Sequence, residues 1–223
     1  MNDLSLWLLM LIIPAIADLY VKINYSKYKN IKNNYKLSGY DVAKKILANN
    51  GLDNLYIVET QGTLTDNYDP TRNVVRLSSE VYNDDSIASL AVAAHECGHA
   101  LQDKDGYFFL KLRCAIFPVV NIANKIAYIV LILGFILEKM DLIWLAIVLV
   151  ALGLLFQLIT LPVEINASKR AMQQIEKYNL ADDRSITGTK HMLISAALTY
   201  LAGVISSAIY VLRLILMFTN RRD

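Results

Sequence analysis

Two of the chain's three histidines fall in one five-residue stretch, His95-Glu96-Cys97-Gly98-His99. Residues four apart lie on one face of an α-helix, so the two imidazoles can grip a single metal ion. Glu96 then stands one step round the helix, beside water on that metal. Zinc brings such water close to ionising at neutral pH, and a carboxylate can take the proton. With three His and six Glu in 223 residues, chance yields roughly 0.001 such patterns per chain. The spacing therefore points to metal-assisted hydrolysis rather than to incidental histidines. Cys97 lies between the histidines and would point off their face, so we read it as a small buried hydrophobe rather than a ligand. With Cys114 as its only companion there is no disulfide framework and no demand for an oxidising compartment.

The metal pair needs a rigid helix. Asp84-Asp85-Ser86 offers N-cap groups, and the Ala-rich run 87–94 follows. This predicts a helix over about residues 86–102. Gly98 costs about 1 kcal/mol in a helix interior, a cost explained if a backbone or a substrate packs closely there. Upstream, residues 41–50 have helical spacing, with Val42, Ile46 and Leu47 on one side and Gly51 as the stop. Residues 55–58 and 74–77 read as short strands. The loop 62–70 between them is dense in turn formers, and its acids read as turn residues rather than ligands. The strand at 74–77 precedes the metal helix and could pair with an extended substrate by strand addition.

The rest of the chain is apolar, and 55% of all residues are hydrophobic. Uncharged runs at 4–17, 116–137 (broken by Lys125), 142–163 and 192–212 are the cause. The fold class expected is a mainly α membrane protein, with about four transmembrane helices and a small α+β zincin-like cytoplasmic portion. The divisions expected are a first transmembrane helix (1–22), a zincin-like portion (23–113), a transmembrane hairpin (114–163), a helical segment completing the site (164–191), and a last transmembrane helix with its tail (192–223). Ala15-Ile16-Ala17 resembles a signal-peptidase site. The run before it lacks Lys and Arg, and Lys22, Lys27, Lys29 and Lys32 follow it, which suits a retained helix. Lys125 reads as snorkelling to an interface and Trp144 as an interfacial aromatic. Ser195, Thr199, Ser206 and Ser207 could hydrogen-bond neighbouring helices. The net charge of +2, with no basic stripe, argues against a nucleic-acid surface.

A zinc hydrolase site of this kind needs a third protein ligand and one open position. The metzincin pattern asks for Gly at 102 and His at 105. The chain has Gln102 and Asp105 there, which excludes it. Glu164, Glu176, His191 and a few aspartates remain. A hairpin over 114–163 leaves and re-enters on one side of the membrane, which returns Glu164 to the side of His95 and His99. His191 comes to the same side, where it could be a ligand or donate to an oxyanion. Residues 22–125 and 169–190 carry 18 of the 22 Lys and Arg, which places this side in the cytoplasm.

Three stretches then look familiar in combination. Residues 64–70 (LTDNYDP), 93–100 (AAHECGHA) and 161–171 (LPVEINASKRA) resemble the YugP-like bacterial membrane zinc metallopeptidases. That family is itself similar to the HtpX and CAAX-prenyl membrane proteases, in which H-E-x-x-H, a membrane hairpin and a Glu complete the zinc site. The resemblance implies a gluzincin-like site with His95, His99 and Glu164 as zinc ligands and Glu96 as general base. In the HtpX-like pattern an Asp follows the ligand Glu by four residues and orients a zinc histidine. Ser168 stands there instead; its hydroxyl can accept from an imidazole N–H but supplies no charge.

The expected function is membrane-embedded zinc endopeptidase chemistry on a peptide or membrane-protein substrate, in the bilayer of a bacterial cell. An intramembrane site-2-type enzyme fits less well, because acids and Lys104 crowd both ends of the metal helix. A non-catalytic membrane scaffold or transporter-associated protein with structural zinc would close the fourth position with Cys or His, a role for which Cys97 is poorly placed.

Overall fold

The computed structural model describes residues 3–219. It is mostly helical: α1 (Asp3–Lys29), α2 (Gly39–Asn49), β1 (Tyr56–Thr60), β2 (Asn67–Asp69), β3 (Val74–Ser78), α3 (Ser79–Asn83), α4 (Ile87–Lys104), α5 (Phe108–Ile136), α6 (Met140–Lys177) and α7 (Asp183–Thr219). The chain divides into two compact units. One takes the residues up to 18, 108–162 and those from 199 onward; the other takes 19–107 and 163–198. Arg221 and Arg222, which entered the charge count, lie outside the described residues.

The first unit is built from the apolar parts of α1, α5, α6 and α7. Among the described residues these are the four helices long and apolar enough to cross a membrane. Large side chains such as Phe117, Val119, Ile122, Ile129, Ile132 and Ile136 are exposed along α5. A contiguous apolar surface of this extent requires a nonaqueous surrounding. The α5–α6 turn closes tightly: Glu138 takes a left-handed φ of 52°, and Lys139 N donates to Gly134 O at 3.0 Å, a helix-terminating pattern. Beyond it Ile143, Ile147, Leu214 and Phe218 pack together, with Trp144 partly buried against them. Polar side chains tie the helices. Ser206 Oγ donates to Met10 O at 2.8 Å and Ser207 Oγ to Gln157 Oε1 at 3.0 Å. Ser195, in the other unit, donates instead to Met192 O of its own helix.

The second unit has an ordinary buried core. Ser38 and Asp41 form a capping box at the start of α2, and Gly51 takes the left-handed φ of 66° just beyond that helix. Val42, Ala43, Ile46 and Leu47 pack with Val75 and Leu77 of β3, Leu90, Ala93, Ala94 and Cys97 of α4, and Ala171 and Ile175 of α6. The sheet order is β1-β3-β2, parallel between β1 and β3 and antiparallel between β2 and β3. β3 is therefore central, paired along its length with β1 and over Val74, Val75 and Arg76 with β2. Strand addition on β3, expected from chain order, is excluded, since its backbone donors and acceptors are already used. β2 was not foreseen, being three residues long inside a turn-rich loop. The acids of that loop hold it in shape. Asp66 accepts from Ser78 N and Oγ, while Asp69 accepts from Thr71, Arg72 N and the Arg76 guanidinium. The Thr71 hydroxyl, then Arg76 and the backbone N–H groups, hold the Asp69 carboxyl down at about 2.

Candidate metal centre

Helix α4 carries the motif. Ser86 caps it by accepting from Ser89 N at 3.1 Å. Small residues along α4 allow close packing against its neighbours. At Gly98 the approach is closest: a Cβ there would lie 2.3 Å from Ala167 O of α6. The glycine is thus required by a backbone, not by a substrate. This crossing sets the helix that carries His95 and His99 directly against the one that carries Glu164.

The side chains converge accordingly. His95 Nε2 lies 3.2 Å from Glu164 Oε2, and His99 Nε2 lies 3.5 Å from the same oxygen. The three donor atoms all lie within 4.8 Å of one another. The imidazoles meet nearly edge-on, at an interplanar angle of 85°. Glu164 is only 2% exposed, so the 64 residues between His99 and Glu164 end in a buried carboxylate against two nitrogens. Two imidazole nitrogens and one carboxylate, with the remaining ring nitrogens engaged elsewhere, are a fitting donor set for zinc.

Each imidazole is held from behind by its other nitrogen. His95 Nδ1 lies 3.2 Å from Ser168 Oγ. His99 Nδ1 lies 3.0 Å from Gln102 Oε1. Gln102 in turn donates through Nε2 to Val163 O at 2.7 Å and to Asn166 Oδ1 at 3.0 Å. Arg170 Nε donates to the same Asn166 oxygen at 2.8 Å. Gln102, Asn166 and Arg170 escaped the reading of the sequence. The available signal was local: Gln102 follows His99 by three residues, on the same helical face.

Glu96 is buried, and its Oε2 accepts from Tyr68 N of β2 at 2.9 Å. Burial, with Glu164 and Asp66 adding to it and His95 opposing, pushes its carboxyl up to about 7. Cys97 turns away from the ligands, its Sγ 3.8 Å from Ala43 O of α2, and burial pushes its thiol up as well. His191 is exposed, with Nδ1 2.8 Å from the Tyr28 hydroxyl, and is not among the three residues that can hold the ion. Glu176 is also exposed.

Comparison with known proteins agrees with this chemistry. No solved structure matches the chain. It is 44% identical over 207 residues, 93% of its own length and 92% of the relative's, to the "Putative membrane protease YugP" of Bacillus subtilis (strain 168). The family described as "Putative neutral zinc metallopeptidase" matches residues 4–219. With a His-His-Glu cluster able to hold a metal ion and four membrane-length apolar helices, the chain belongs to this neutral zinc metallopeptidase family.

Proposed function

We propose that the chain is a membrane-embedded zinc endopeptidase of gluzincin type, with His95, His99 and Glu164 as ligands and Glu96 as general base. The convergence of Glu164 on the two α4 imidazoles carries this reading. When bound, zinc supplies Lewis acidity that polarises a carbonyl and makes water acidic near neutral pH. The protein's part is positional and protic. Ser168 and Gln102 hold the imidazoles so that their Nε2 lone pairs face Glu164. Glu96 takes a proton from the attacking water and returns it to the leaving amine, a role suited to a buried carboxylate held by Tyr68 N–H. Tyr68 N–H, on the outer edge of β2, holds the Glu96 carboxylate, and that edge is where an extended peptide could align. The contact between His191 and Tyr28 favours a packing role for His191 over an oxyanion role.

We infer a zincin-like portion from residues 23–113 and 164–191, placed in the cytoplasm of a bacterial cell by the Lys and Arg distribution. A structural zinc site is less well supported, because Cys97 points toward α2. Purified variants test the mechanism. Glu96→Gln is expected to keep zinc and lose proteolysis by roughly 10²–10⁴-fold; Glu164→Ala is expected to lose zinc. Cleavage by Glu96→Gln at the wild-type rate, or normal zinc binding by Glu164→Ala, would overturn the corresponding assignment.

A further inference from the structure

Gln102 is fully buried and joins both halves of the metal site. Its amide is oriented without ambiguity: Nε2 faces two oxygens, Val163 O and Asn166 Oδ1, so Nε2 must donate and Oε1 must accept. The Oε1 at 3.0 Å from His99 Nδ1 therefore requires a proton on that nitrogen. This leaves Nε2 as the one His99 atom with a lone pair for a metal. The other end of the same side chain grips the carbonyl immediately before Glu164. One side chain thus sets the tautomer and plane of one ligand and the backbone position of another. Arg170 steadies the far end, bonding Asn166 Oδ1 and also Leu101 O of α4 and Asp105 just beyond that helix.

We infer that Gln102 is the positioning residue of this site, holding His99 in its ligating tautomer and pinning the α6 turn that presents Glu164 against α4. The inference rests on the ligand set proposed above. It differs from a mere packing role, because a side chain of similar volume without polar atoms would fill the space and orient nothing. Losing the partner of a metal-ligating imidazole typically costs 10–100-fold in metal affinity.

The test uses the full chain in detergent, Zn²⁺ alone as the probe, and competition against a chromophoric chelator. Gln102→Met keeps the volume and removes both polar arms; zinc affinity is expected to fall roughly 10–100-fold. Gln102→Glu keeps an oxygen that accepts from His99 Nδ1–H but loses the donor to Val163 O, and is expected to recover part of the loss. The visible spectrum of the Co²⁺-loaded protein should shift in the Met variant and return toward wild type in the Glu variant. Wild-type affinity in Gln102→Met overturns the inference. A loss in Gln102→Glu as large as in Gln102→Met also overturns it, because the oxygen retained opposite His99 Nδ1 would then contribute nothing to zinc binding. Zinc binding is measured without substrate, so a chain that binds zinc with the expected Gln102 dependence yet cleaves no peptide fails only the proteolytic reading.

Discussion

The two units of the chain solve opposite packing problems. In the unit that holds the metal centre, Val42, Ile46, Leu77 and Leu90 are wholly buried, and polar contacts concentrate around His95, His99 and Glu164. In the apolar unit, large aliphatic side chains line the outside, and contacts such as that of Ser207 with Gln157 join the helices within. Water drives the first arrangement by expelling apolar surface. No such drive acts between apolar helices in lipid, where close packing and hydrogen bonds must hold helices together. The same residue types therefore carry different energetic weight in the two units, and substitutions can expose the difference.

The largest effect is expected at the core of the metal-bearing unit. Leu90→Ala should cost roughly 2–5 kcal/mol in chemical denaturation, since a buried side chain leaves a cavity. Ile129, 58% exposed on α5, should lose little on the same truncation in lipid. A comparable loss at both sites would erase the contrast.

Gly98→Ala sharpens it further. The added methyl meets backbone at 2.3 Å, which cannot rotate aside, so roughly 1–3 kcal/mol of overpacking is expected. The same change pushes α4 from α6, so zinc affinity should fall more than stability alone predicts. Unchanged zinc titration would mean that the crossing does not set the site.

A pH effect comes next. The chelator-treated protein buries Glu96 with its carboxyl raised to about 7 from an ordinary 4.5. A raised acid favours the protonated form on folding. Its contribution is full below about 4.5 and is lost as pH climbs toward 7. Melting curves of metal-free protein should therefore fall across that window, and Glu96→Gln should flatten the slope. The smallest effect is expected at Ser207→Ala, where an interhelical hydrogen bond in lipid contributes on average about 0.6 kcal/mol.

Much of the fold was legible because its signals are local. Ser86 announces a helix start, Gly51 a stop, and four long apolar runs need only length and hydropathy to be recognised. The short strand β2 was not legible, because pairing with β3, and not its own three residues, makes it a strand. The placing of substrate on β3 failed for the same reason, since strand order is a property of the assembled sheet.

The candidate site divides along the same line. Helical periodicity alone put His95 and His99 on one face, one turn apart, and the chain carries that information in five consecutive residues. That Glu164 would reach them came from topology and resemblance, while its position against both Nε2 atoms is set by the close crossing of α4 and α6 at Gly98 and Ala167. Gln102 shows the limit most clearly. In the sequence it served only to exclude another zinc-site pattern, and nothing local indicates that its amide spans from His99 to the carbonyl of Val163. A metal-binding pair on one helix is a matter of 3.6 residues per turn, which sequence determines. Ser168 behind His95, and the Val163 carbonyl that holds the far end of Gln102, arrive from a segment distant in the chain, and only packing brings them within hydrogen-bond reach.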